Sequence, residues 1–273
     1  MALNPQHLKL TREHSGKVLR VKINRPEVRN AFNQNLIQDL HGVFAELSDE
    51  RSREFEGVRA VILQGEGAAF CGGGDLHWMR RSLTLSPAEN LEDCRKLTHM
   101  FLTMDQVPLP VIGIVHGYAI GGGVGLVSVC DHVIAAESTV FSLSEVKLGL
   151  IPACIGPFVI GKIGPSQARS LFLSGERFEG EKARSIGLVH EVAPEAELEA
   201  RAQAVVRRIL EGGPDAIEAA KLLIHTLSRD LVREPFDASL DFAASELANL
   251  RVLPEAQEGV RAFLEKRSPS WRS

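Results

Sequence analysis

The chain has 273 residues, 44% of them apolar and 24% charged, with a net charge of −4, enough for one large domain or a core with an appendage. That acidic balance excludes wholesale nucleic-acid binding, which needs a basic face, and leaves room for a local basic site for a phosphorylated ligand. The four cysteines (Cys71, Cys94, Cys130, Cys154) lack CxxC spacing, so neither a disulfide framework nor a metal site is signalled. With no apolar leader and no run near the ~18 apolar residues of a membrane span, a cytoplasmic chain without membrane contact is expected.

In chain order, LKLTREHSGKVLRVKIN reads as a hairpin: Leu8 and Leu10, then Val18, Leu19, Val21 and Ile23, flank a His-Ser-Gly-Lys turn. RPEVRNAFNQ is a polar loop carrying Arg25 and Arg29. From Asn35 to Leu47, apolar residues recur at helical spacing. Val58–Gln64 predicts a strand, followed by the glycine cluster FCGGGD (Phe70 to Asp75). Helices are expected over Asp75–Leu85 and Ala88–Asp105, the second capped by Ser86 before Pro87. VIGIVHG is a short, β-branched, buried strand that leads to Gly121, Gly122 and Gly123, then to a helix over 122–130. HVIAAEST is another strand, and Glu145 follows among small and apolar residues.

Phe158–Leu173 and Gly180–Gly187 read as helices, and GLVHEVAP as a strand. Beyond Ala196, strand signals stop and charged helical runs take over. The pattern predicts an α/β core over 1–195 and a helical region over 196–273. That region has an apolar stripe (Leu222, Leu223, Leu227, Leu231) to bury against the core or another subunit.

The chemistry is concentrated in the two glycine turns. Each follows a strand, and each brings bare N–H groups where two could donate to one oxygen, the construction of an oxyanion hole. Glu145 is the proton carrier to place beside them; taken alone it also fits a solvated loop glutamate. No dinucleotide fingerprint, P-loop or nucleophile elbow is completed. Asp75 suits a helix cap, His116 and His132 suit packing or capping roles, and Arg80 and Arg81 suit a solvated helix face ahead of the alternative, a contact with a substrate carboxylate.

NRPEVRNAF, AFCGGGDL, HGYAIGGGVGL, CDHVIAA, FSLSEVKLGLIP and AFLEKR, in that order over nearly the whole chain, resemble the enoyl-CoA hydratase/isomerase (crotonase) superfamily. The resemblance implies a crotonase-like spiral of ββα units with a C-terminal helical trimerisation region, assembling as a trimer or a dimer of trimers. It implies an acyl-CoA thioester as substrate, with coenzyme A part of that substrate and no separate cofactor. Carried over by position, the oxyanion donors fall on Gly74 and Gly122, and the catalytic carboxylate on Glu145. Arg29, Gly72, Asp75, Phe263 and Lys266 fall on positions expected to meet the coenzyme A portion.

The family's hydratases have a further glutamate three residues after the middle glycine of the second cluster; here that position is Gly125. This departure leaves two activities open, hydration of a 2-enoyl-CoA and Δ3,Δ2-isomerisation, beside non-catalytic acyl-CoA binding. The run from Phe141 is most similar to a subgroup that hydrates branched, carboxylated enoyl-CoAs of the methylglutaconyl or geranyl-derived type, in which glycine also stands at that position.

Overall fold

The computed structural model describes residues 4–49, 52–230, 254–255, 258, 262 and 265–272. The hairpin forms as expected: β1 (Leu8–Glu13) and β2 (Val18–Ile23) pair antiparallel, Leu8 opposite Ile23. Helix α1 (Gln34–Leu47) is capped by Asn33, whose side chain accepts from the Leu36 N–H, and buries Leu36, Ile37, Leu40, Val43, Phe44 and Leu47. Next come β3 (Ala60–Gly65), α2 (Leu76–Ser82) and α3 (Pro87–Gln106). Ser86 and Glu89 make a reciprocal capping box at the start of α3, satisfying donors that a helix end leaves open.

Then follow β4 (Val111–Val115), β5 (Tyr118–Ile120), α4 (Gly122–Ser128), β6 (His132–Ala136) and β7 (Val140–Ser142). Next are α5 (Gly156–Ser174), β8 (Arg177–Phe178), α6 (Gly180–Ser185), β9 (Glu191–Ala193), α7 (Leu198–Leu210) and α8 (Pro214–His225). The main sheet has six strands in the order β1-β2-β3-β4-β6-β9, parallel from β2 onward. A second sheet of three short strands runs β5-β7-β8; at two or three residues each, these strands carry no readable alternation.

Both faces of the main sheet are covered, which is why β3 and β4 read as unbroken apolar runs. Along β3, Val61 and Leu63 face the core built with α1, α3, α4 and α5. Ala60 and Ile62 face the other way, toward Leu198, Ala202, Val205 and Val206 of α7. The sequence pattern divides the chain at 195, yet α7 lies on the sheet itself, because its apolar stripe matches that second face. Lys221 fastens α8 to the core, its Nζ donating to the Leu109 carbonyl at 3.0 Å and to Asp131 at 2.7 Å. Leu222 and Ile224 of α8 are exposed; Leu231 and Phe263 lie outside the described residues.

Candidate active site

The two glycine turns are stitched together by backbone hydrogen bonds. Past the end of β3, the segment around Cys71 runs between the loop at Arg29–Phe32 and strand β5. Phe70 N–H donates to the His116 carbonyl at 2.9 Å, Cys71 N–H to Tyr118 at 2.9 Å, and Ile120 N–H to Cys71 at 3.0 Å. On the other side, Gly72 N–H donates to Arg29 at 2.7 Å, Phe32 N–H to Gly73 at 2.7 Å and Asp75 N–H to Phe32 at 2.9 Å. Gly121, at φ 52° and ψ −114°, takes a conformation that side chains disfavour. From there its N–H reaches the Ser142 carbonyl at 2.8 Å, which ties the second turn to β7 and the short helical turn carrying Glu145.

These ties bring Gly74, Gly122 and Glu145 to the wall of one cavity of about 290 Å³. The hydrogen bonds of the described residues leave the N–H groups of Gly74 and Gly122 without an acceptor. Gly122 opens α4, where the first N–H groups have no partner within the helix. The Glu145 carboxylate lies against the second turn: a Cβ on Gly121 would stand 2.9 Å from its Oε1. Its Oε2 is buried with no hydrogen-bond partner. Burial raises the Glu145 carboxyl above the ordinary carboxylate range, against an opposing pull from its own backbone N–H.

A side chain at Gly125 would force its neighbours to move. A Cβ there would stand 2.4 Å from Ile155 Cγ2 and 2.9 Å from the Phe101 ring. Apolar groups pack against this position, and Glu145 is the one charged side chain lining the cavity among the described residues.

A second cavity, of about 270 Å³, shares Gly72, Ile120 and Ser144 with the first. It holds Arg29, Lys147 and Arg177 and no acidic side chain among the described residues. Arg29 sits at φ 55° with its guanidinium 5.4 Å from the centre of the Tyr118 ring, a cation–π arrangement. Nothing in the sequence marks Lys147 or Arg177 as basic-site residues: Lys147 sits within FSLSEVKLGLIP two places after Glu145, and Arg177 arrives through the pairing of β8 with β7.

The remaining candidates are placed elsewhere. Asp75, a candidate for meeting coenzyme A, is 5% exposed and lines neither cavity. It caps α2, accepting from the His77 N–H at 2.8 Å, and pairs with Arg25 at 2.8 Å. Burial pushes its carboxyl up, but these partners outweigh it and hold it below the ordinary range. Arg25 is committed to that ion pair and to the Ala31 carbonyl. His116 Nε2 lies 2.7 Å from the Gly67 carbonyl, and His132 stacks on His190; both are packing residues here. Arg80 and Arg81 lie on the exposed side of α2. Lys266 sits in an exposed turn at φ 54° and lines neither cavity of its own chain.

A family model for enoyl-CoA hydratase/isomerase matches residues 13–273. A solved enoyl-CoA hydratase from Shewanella pealeana is 34% identical, with 98% of this chain and 96% of that one covered at a TM-score of 0.90. An enoyl-CoA hydratase/isomerase from Marinobacter aquaeolei is 35% identical, covering 98% and 100% at a TM-score of 0.88. A curated relative, an enoyl-CoA isomerase/hydratase of Mycosarcoma maydis, is 31% identical over 258 residues, 92% of this chain and 91% of its own. The α/β spiral expected from the motifs is the fold of these neighbours. No helix of the described residues is long and apolar enough to cross a membrane.

Proposed function

The chain belongs to the enoyl-CoA hydratase/isomerase family, and from that premise we propose that it hydrates a 2-enoyl-CoA with Glu145 as its single acid/base. The observation that carries this reading is a buried, unpartnered carboxylate oxygen in the same cavity as two N–H groups without acceptors. The thioester oxygen accepts from Gly74 and Gly122. Ionised Glu145 takes a proton from water as the hydroxide adds to Cβ, and the double-bond electrons move onto the thioester oxygen. The two N–H groups stabilise that enolate; in other enzymes, losing one such donor costs roughly 2.7–4 kcal/mol. Collapse of the enolate then draws the same proton from Glu145 to Cα. One carboxylate suffices because it ends the cycle as it began.

Arg29, Lys147 and Arg177 suit the phosphate groups of coenzyme A, with Gly72 on the wall between the two cavities. Lys266 is assigned to the coenzyme A of a neighbouring subunit. The crowding at Gly125 favours a second reading, isomerisation, in which Glu145 moves a proton between Cα and Cγ and no water is added. Substituting Glu145→Gln tests both, because it keeps the shape and removes proton exchange. It should lower kcat by about 10²-fold or more with KM nearly unchanged. Retention of most turnover would assign the chemistry to another group.

A further inference from the structure

The geometry points to an uncharged hydrocarbon as the acyl group this site accepts, with Trp78 as the wall that selects it and Asp93 as the residue that positions Trp78. This deepens the enoyl-CoA reading and rests on it. The apolar lining of the cavity includes Trp78, Met79, Leu97, Leu148, Ile151 and Ile155. Two of these, Leu148 and Ile151, are 62% and 73% exposed at the mouth, apolar surface that a bound chain would cover. The carboxylated acyl group to which the sequence motifs pointed carries a second charge, and the lining offers that charge no cation among the described residues. The single charged side chain lining it among the described residues, Glu145, would repel it. A carboxylate taken out of water without a partner is strongly disfavoured, whereas each buried methylene is favourable.

Trp78 is held from behind. Asp93 of α3 is 8% exposed; its Oδ2 accepts from Trp78 Nε1 at 2.7 Å and its Oδ1 from Gln34 Nε2 at 2.7 Å. Both carboxylate oxygens are therefore engaged, and Asp93 itself does not line the cavity. A charge-assisted bond of this length fixes the indole plane, so α1, α2 and α3 together set the position of one cavity wall. Arg81 lies 4.0 Å from Asp93 Oδ1 as a half-exposed ion pair and does not line the cavity.

The test is calorimetric titration of the whole protein with CoA and with unreactive saturated thioesters: acetyl-, butyryl-, hexanoyl- and glutaryl-CoA. Affinity should rise about fourfold per added methylene until the cavity is filled, and glutaryl-CoA should bind more weakly than butyryl-CoA. Glutaryl-CoA binding as tightly as butyryl-CoA would overturn the inference while leaving the enoyl-CoA reading standing. Failure of CoA and every thioester to bind would overturn both. Trp78→Ala should flatten the chain-length dependence, weakening hexanoyl-CoA far more than acetyl-CoA. Asp93→Ala should do the same, and the double variant should be no worse than either single one. Additive losses in the double variant, with each protein shown by its melting curve to be folded, would remove Asp93 from this role.

Discussion

An ionised carboxylate whose buried oxygen lacks a partner destabilises the fold that holds it. The raised Glu145 carboxyl means the folded chain holds that proton more tightly than the unfolded chain does. The resulting stability is fully present below the ordinary carboxylate value and is lost as pH rises through the folded value. Glu145→Gln should therefore melt at a higher temperature than the parent at pH 7, and the gap should close toward pH 4. Thermal melts across that range check this, and a gap that does not vary with pH would contradict it. That Glu145, Gly74 and Gly122 line one cavity was legible because motifs in a fixed order located them. Asp93 was not: in sequence it is one charged residue in a helix, and its burial comes from Gln34 and Trp78, partners 59 and 15 positions away. The crowding at Gly125 was also hidden, because Phe101 and Ile155 meet it only through packing.

At the scale of elements, the helices and main-sheet strands were legible from periodicity, and the cap at Ser86 from local chemistry. The second sheet was not, since its strands are set by the turns that bring them together. Helix α7 illustrates another limit. Its amphipathic pattern declares an apolar stripe but not the surface that receives it. That surface is the sheet face with Ile62, Ile114 and Ile134. A chain ended at residue 195 should therefore expose this face and fail to fold as a soluble unit, whereas one ended after α7 should keep the face covered. Soluble yield and the cooperativity of thermal melting decide between these outcomes. A cooperative melt of the 1–195 chain would show that the core does not need α7.

For the molecule as a whole, the family and its fold were legible because the motifs span nearly the entire length. For assembly the sequence offers only an apolar stripe, part of which, Leu222, is exposed on α8 beside Ile224. A trimer or dimer of trimers is our expectation, and light scattering at micromolar concentration should give a mass of three or six chains; a monomer alone would contradict it. Turnover in ¹⁸O-labelled water tests the central claim most directly. Crotonyl-CoA and a 3-enoyl-CoA are incubated with the protein and with its Glu145→Gln variant, and the products are weighed by mass spectrometry. Hydration by Glu145 predicts one ¹⁸O in a 3-hydroxyacyl-CoA formed from crotonyl-CoA by the parent, and almost none formed by the variant. An unlabelled product with a shifted double bond, or binding without any product, would contradict it.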